Sequence, residues 1–265
     1  MRKTLALITP LMLAAGLFAA APAQAALVAH YNFDADTTTD SSGNARHLTA
    51  AGAASLTTGQ FGSAVNLDYG EFLWNSDSAF DISTSSFALS FWYQADSASF
   101  NNMVTKINTN SDLGYAVTHG STTVDGDLKD VTGGLVSAPR PGSDGSTFQH
   151  VIFQRSGGVL EMYLNGTLFS TDSSISAADA SGNAFAVGAR NISLSGAINS
   201  GGGSFFFDGR IDELWAFSNA LTSDEITNLN IYNSLTAPVP EPSALSLIAL
   251  GGLALACVRR RRLAA

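Results

Sequence analysis

The side chains in this sequence that could do chemistry are mostly carboxylates. The stretch DADTTTDSSGNARH supplies Asp34, Asp36, Asp40, Ser42 and Asn44 within one turn-rich segment. Several oxygen ligands beside loop carbonyls are what a calcium ion takes. The bland alternative is that Asp40 caps a turn. A second acidic pair, Asp212 and Glu213, sits inside an apolar run. A regular strand would splay adjacent carboxylates to opposite faces. Ile211 and Leu214 are both apolar, so the alternation breaks between them. A bulge there would re-aim a side chain, whereas a regular strand would leave Asp212 to pair with an arginine. DGDLKD, from Asp125 to Asp130, alternates acids but lacks the twelve-residue EF-hand loop, so it reads as a solvated acidic turn.

Other chemistries find no constellation. His30, His47, His119 and His150 are scattered singly, and no nucleophile elbow, zinc-helix or phosphate-loop motif occurs. The single cysteine, Cys257, lies near the C-terminus, so the body carries no disulfide and no thiolate metal site. From Ala26 to Pro240 there are seven basic residues against 21 acids, a net charge of about −14. A body this acidic repels the phosphates of nucleic acid and anionic lipid.

The elements that must position these groups are strands. LVAHYNF, AVNLD, FALSFWYQ, NMVTKI, GYAVTH, FQHVIFQR, VLEMYLNG, FAVGA and FFFDGRIDELWAF recur between clusters of Gly, Asn, Asp and Ser. Most alternate: Phe87, Leu89, Phe91 and Tyr93 share one face. Many short strands with turn signals predict a sandwich or barrel. Asn165-Gly166 is a type I′ hairpin signal. Trp92 and His150 read as packing residues. One helix is expected, opened by the capping box Thr222-Ser223-Asp224-Glu225, with Ile226, Leu229 and Ile231 or Tyr232 as its apolar stripe.

Both ends of the chain carry address signals. MRKTLALITPLMLAAGLFAAAPAQA has a basic start, an apolar stretch and Ala23-Gln24-Ala25, the pattern of a secretory signal peptide ending at residue 25. The closing VPEPSALSLIALGGLALACVRRRR has an apolar run of fifteen residues, Ala244 to Val258. As a helix it spans about 22 Å, against about 30 Å of hydrocarbon, so it is short for a permanent anchor. The segment resembles the PEP-CTERM sorting signal, with the step Pro240-Glu241-Pro242 and the cluster Arg259, Arg260, Arg261 and Arg262. The resemblance implies transient membrane contact and cleavage near Pro-Glu-Pro by an exosortase-type membrane protease. It also implies a Gram-negative source, export through the inner membrane, and a final place on the cell surface or in the extracellular matrix.

The body has a resemblance of its own. LVAHYNFDADTTTDSSGNARHLTAAG, GQFGSAVNLD, FALSFWYQ, FQHVIFQRSGGVLEMYLNGTLFST and FDGRIDELWAFSNALTSDEITNL follow one another as in laminin-G-like domains of the concanavalin A-like lectin/glucanase superfamily. Phe148 stands where that family usually has Trp. The resemblance implies an all-β fold: a two-sheet antiparallel jelly-roll sandwich with one short C-terminal helix, followed by the separate hydrophobic helix of the tail. The expected organisation is a signal peptide over 1–25, the jelly roll over 26–235 and the sorting tail over 236–265. The family also implies a structural calcium ion, with Asp40 and Asp212 approaching each other across the fold.

Glucanases of this superfamily carry their carboxylates as E-x-D-x-E on one strand face, and that pattern is absent. No catalytic residue is assigned, and a non-enzymatic role is expected. The leading expectation is an exported binding protein for extracellular polysaccharide or glycoprotein. The alternatives are a hydrolase using an unfamiliar carboxylate pair and a structural biofilm or envelope component. Trp215, Trp74 and Tyr69 are the candidate ligand contacts: Trp215 replaces a usual polar residue, and the other two lie in a loop-like stretch.

Overall fold

The computed structural model describes residues 25–82, 86–97, 99–108, 113–129, 134–139, 147–173, 182–198 and 205–236. The signal segment and the sorting tail, with Pro240, Glu241, Pro242 and Arg259 to Arg262, lie outside the described residues.

The strands are β1 (Leu27–Tyr31), β2 (Thr49–Ala51), β3 (Ser55–Thr58), β4 (Ser63–Leu67), β5 (Phe72–Asn75), β6 (Phe87–Ala95), β7 (Asn101–Asn108) and β8 (Leu113–His119). They continue as β9 (Thr123–Lys129), β10 (Gly134–Pro139), β11 (Gln149–Ser156), β12 (Val159–Leu164), β13 (Thr167–Asp172), β14 (Phe185–Val187) and β15 (Gly209–Phe217). One α-helix, α1 (Ser223–Tyr232), closes the described chain.

Two antiparallel sheets form a sandwich. The first runs β13-β12-β11-β6-β15-β4-β3, with β1 also paired to β15. The second runs β10-β9-β8-β7-β14-β5-β2. Alternation drives the layering. Phe87, Leu89, Phe91 and Tyr93 point inward and join Phe153, Phe185, Phe207, Ile211 and Leu214 in one core between the sheets. The Asn165-Gly166 turn between β12 and β13 has φ of 50° and 76°, the positive values a type I′ hairpin needs.

Strand β15 changes partner midway. Gly209–Ile211 pairs with β4, while Leu214–Phe217 pairs with β1. Its register with β6 shifts between Asp212 and Trp215. The expected bulge is therefore present, and it sits at the handover from β4 to β1. Glu213 adopts φ 50° there. That conformation costs a non-glycine residue roughly 1–2 kcal/mol. His30 of β1 offsets it: its Nε2 lies 2.6 Å from Glu213 Oε2, and its ring stacks on Trp215 at 3.5 Å between centroids.

Helix α1 begins with the expected reciprocal cap. Glu225 N–H donates to Thr222 Oγ1 (3.3 Å), and Thr222 N–H donates to Glu225 Oε2 (2.8 Å). Ile226 and Leu229 are buried against Ala88, Ile152, Trp215 and Phe217 on the outer face of the first sheet. The anticipated third stripe position is not buried. Ile231 is 53% and Tyr232 46% exposed, because the buried stripe ends after Leu229.

Candidate functional site

The two candidate ligand tryptophans differ in cover: Trp215 is buried and Trp74 is half-buried. Trp215 is 9% exposed, sealed between His30 and α1, and its Nε1–H donates to Asn233 Oδ1 at 3.2 Å. The expectation of an exposed Trp215 is thereby corrected: the helix covers that part of the sheet. Trp74 lies in β5 rather than in a loop. It packs with Phe72, Ala186 and Ile192, and a Cβ on Gly196 would come within 2.5 Å of its ring. Tyr69 is different. It is 79% exposed and stands edge-on to Phe206 at 5.4 Å.

The two predicted metal carboxylates hold different segments. Asp40 accepts from the backbone N–H of His30 and Ser42 on Oδ1 and of Arg46 on Oδ2. Burial opposes its charge, but these hydrogen bonds keep its carboxyl below the usual carboxylate range. Asp212 accepts Phe61 N–H on Oδ2 at 2.9 Å, while its Oδ1 is buried without a hydrogen-bond partner. Burial pushes the Asp212 pKa up to about 7, helped by the neighbouring Glu213 charge. It is Glu213, not Asp212, that connects to Asp40, through the His30 side chain and backbone. Among the described residues no three His, Cys, Asp or Glu side chains gather to hold a metal ion.

Asp212 pins the turn from Gly59 to Ser63, and Asp34 grips the same turn by accepting Ser63 N–H at 3.0 Å. A Cβ on Gly59 would meet Asp212 Oδ2 at 2.5 Å, and one on Gly62 would meet Asp34 Oδ1 at 2.0 Å. Both glycines are required by this close approach. The pinned turn places Phe61 edge-on to Trp92, at 5.7 Å. Trp92 in turn stacks on His150, whose Nε2 lies 2.8 Å from Ser90 Oγ. Burial lowers the His150 pKa to about 3, so the ring is a neutral packing group at ordinary pH.

Beyond that turn the outer face of the first sheet is polar and only partly covered. Asn66, Arg210 and Gln94 lie side by side on β4, β15 and β6, because Arg210 pairs with both of the others. Arg210 Nη1 donates to Gln94 Oε1 at 2.7 Å. Two residues along each strand direction come Asp68, Asp208 and Asp96. Asp96 N–H donates to the Asp208 carbonyl at 2.9 Å, which fixes that alignment. Asn66 Nδ2 donates to Asp68 Oδ1 at 3.2 Å, and Arg210 Nη2 is 3.9 Å from Asp96 Oδ2. Partial burial raises the Asp208 pKa, with the Asp96 and Asp68 charges adding to it.

Gly209 makes the array possible: a Cβ there would come within 2.3 Å of the Gln94 carbonyl. Tyr69 follows Asp68, but it stands edge-on to the half-buried Phe206, which packs with Phe72 of the second sheet. Sequence reasoning missed the platform, although its signal was present. Asp208-x-Arg210-x-Asp212 places three polar side chains on one strand face, and Asn66-x-Asp68 and Gln94-x-Asp96 repeat the spacing on the flanking strands.

Known proteins share this architecture. The family model of the concanavalin A-like lectin/glucanases superfamily matches residues 68–227, and that of the PEP-CTERM protein-sorting motif matches residues 238–262. The sorting motif marks the protein for export, to the surface or the extracellular space. No curated protein matches the chain. Domain 4 of AbnA, a GH43 extracellular arabinanase from Geobacillus stearothermophilus solved with arabinotriose, aligns with a TM-score of 0.58 at 21% identity. That alignment covers 78% of this chain and 100% of the other.

The binding domain of Paraclostridial Mosquitocidal Protein 1 aligns at 0.61 and 15% identity, over 77% of this chain and 52% of that one. The binding domain of Botulinum Neurotoxin DC in complex with SialylT aligns at 0.57 and 15% identity, over 80% and 52%. The match spans about half the length of these two toxin chains. At such identities the likeness shows the fold alone. Among the described residues no helix is long and apolar enough to cross a membrane. With its jelly-roll sheets, its closing strand and helix, and a matching model across most of that body, the chain belongs to the concanavalin A-like lectin/glucanase superfamily.

Proposed function

We propose that this is an exported surface or matrix protein that binds extracellular carbohydrate, free or on a glycoprotein, through the polar end of its first sheet. One observation carries the reading. Asn66, Asp68, Asp96, Asp208 and Arg210 present amide, carboxylate and guanidinium groups in register on three adjacent strands, with Arg210 braced by the buried Gln94. Such groups read sugar hydroxyls. The structural neighbour solved with arabinotriose supports a sugar ligand for a domain of this shape. A glycan array with the full chain tests the proposal. Binding to one glycan class supports it. Silence across the array favours a structural role instead.

A hydrolase is the second reading. Asp208 stands beside Asp96 and Asp68 on adjacent strands, with its pKa raised by partial burial and by their charges, and glycosidases work with such neighbouring carboxyl groups. Release of reducing ends from a bound glycan would establish it, and intact glycan after prolonged incubation would exclude it.

We also propose a sorting step at the tail and a place for a structural cation. An exosortase-type protease cuts near Pro240-Glu241-Pro242 while the apolar tail touches the membrane. Glu241→Gln, or replacement of Arg259 to Arg262, then leaves a longer membrane-retained product. A structural calcium, if carried, takes Asp212 Oδ1 rather than Asp40, whose oxygens are engaged by its own loop. A chelator then lowers the melting temperature of the wild type but not of Asp212→Asn. An unchanged wild-type curve overturns the calcium proposal.

A further inference from the structure

The chain enters the first sheet beside the start of α1. Ala25 is 5% exposed and belongs to the apolar cluster of Leu221, Ile226 and Leu229. Its N–H donates to Glu225 Oε1 at 2.8 Å, across 200 residues of sequence. The next N–H, of Ala26, donates to Asn219 Oδ1, and the Ala26 carbonyl accepts Ser218 N–H at 3.0 Å. The first residues of the body are thus held by the segment that opens the helix.

Glu225 is the unusual partner. It is 6% exposed, and among the described residues it accepts only from neutral donors: Ala25 N–H on Oε1, and the N–H and hydroxyl of Thr222 on Oε2. No lysine or arginine of the described residues forms an ion pair with it. A buried carboxylate without a cation carries a desolvation cost that neutral hydrogen bonds offset only in part. The expected signal-peptidase cut falls after Ala25 and removes one of those donors. In that cut, water adds across the Ala25–Ala26 peptide bond. Ala25 leaves with the new carboxylate, and Ala26 keeps the amine, which takes up a proton at neutral pH. A cation is thereby made one residue along from the donor that Glu225 loses.

We propose that the folded body builds a binding site for its own mature N-terminus, in which the α-ammonium of Ala26 sits between Glu225 and Asn219. Removal of the signal segment then supplies the counter-ion that fastens β1 to α1. The proposal rests on the export part of the function above and is independent of what the platform binds. Asp224, the preceding helix residue, is exposed, and the two acids outweigh the positive end of a helix. On the sheet side the titratable groups are Glu161 and Tyr163, linked to the site through Gln154, which accepts Leu221 N–H, and His30 with Glu213, beyond Trp215. Burial pushes the Tyr163 pKa up to about 12, above the range of an α-amino group.

N-terminal sequencing and denaturation of the exported full chain test this. The exported protein begins at Ala26. Pairing with Glu225 raises the α-amino pKa above its unfolded value, so the stabilisation is complete below about pH 8 and is lost as pH rises through the folded value. Glu225→Gln keeps the reciprocal cap, since glutamine also serves at that helix position, but it loses this alkaline limb. Selective acetylation of the wild-type α-amino group abolishes the limb as well, without touching the cap.

A start elsewhere than Ala26 overturns the proposal at its processing step. A start at Ala26 with the same alkaline behaviour in the wild type, Glu225→Gln and acetylated protein overturns the pairing and leaves export standing. Both outcomes leave the carbohydrate reading untouched.

Discussion

The outer face of the first sheet has two ends, built on the same strands and put to opposite uses. At one end Ala88 of β6 and Trp215 and Phe217 of β15 lie under Ile226 and Leu229 of α1. At the other, Gln94 and Arg210 of the same strands lead to the exposed Asp68 and half-buried Asp208. Between them Phe61 closes over Trp92, and Glu213 takes its bulged conformation. Strand alternation decides only which side chains leave the core. What becomes of an outward position depends on the segment that returns to cover it. One strand can thus anchor the fold with its second half and offer a surface with its first.

The largest effect expected is at the covered end. Leu229 is 1% exposed, and Leu229→Ala removes a buried contact worth about 2–5 kcal/mol. Chemical denaturation reads the loss, and binding by the fraction that stays folded is unchanged. Equal losses of stability and affinity would mean that the two ends are coupled.

The bulge comes next. Glu213→Ala keeps the positive φ and removes the contact with His30, so a cost of about 2 kcal/mol is expected. His30→Gln costs less, since it retains a donor for Glu213 but loses the stack on Trp215. If neither change moves the melting temperature, the bulge is held by strand pairing alone.

The boundary between the two ends also predicts a pH response. His150, beneath Trp92, is kept neutral by burial. Below its ordinary value of 6.5 the unfolded chain takes up a proton that the folded chain refuses until about pH 3. Stability is therefore lost as pH falls through that window. His150→Gln flattens this limb of the pH–stability curve, while an unchanged limb would assign it to other groups. Asp212 acts in the opposite sense, because its raised pKa lets the folded state hold a proton up to about pH 7.

How much of this was legible beforehand follows from what each feature depends on. The bulge could be read from Ile211 and Leu214, because a break in period two is local. The cap at Thr222 and the turn at Asn165-Gly166 are local as well. Asp208-x-Arg210-x-Asp212 was visible too, but a search shaped by glutamate-centred glucanase patterns passes over it. What could not be read is that Asn66, Arg210 and Gln94 are neighbours. Their strands are β4, β15 and β6, far apart in the chain and adjacent only through sheet order. Trp215 failed for the same reason: its cover comes from β1 and α1. Asp40 and Asp212 were paired by resemblance, whereas Asp40 takes backbone N–H groups of its own loop and Asp212 takes Phe61 N–H from the turn between β3 and β4.

The smallest stability effect is the most telling for the bare end. Asp208 sits beside Asp96 and Asp68 with its pKa raised, so the folded protein binds a proton there more readily than the unfolded chain. Stability contributed by that proton is present at acid pH and is lost as pH rises through the raised pKa. The ionised form of Asp208 is therefore the less favourable one for folding. Asp208→Asn removes a repelled charge, and the melting temperature is expected to hold or rise, within about 0.5 kcal/mol. Affinity for the bound glycan is expected to fall in the same variant. A group kept against a small stability cost, whose removal harms only binding, behaves as a site residue rather than a fold residue. Equivalent Asn substitutions in the fold-holding carboxylates Asp40 and Asp34 are expected to give the reverse pattern. If Asp208→Asn instead destabilises as they do, the platform belongs to the fold, and the contrast between the two ends of β15 disappears.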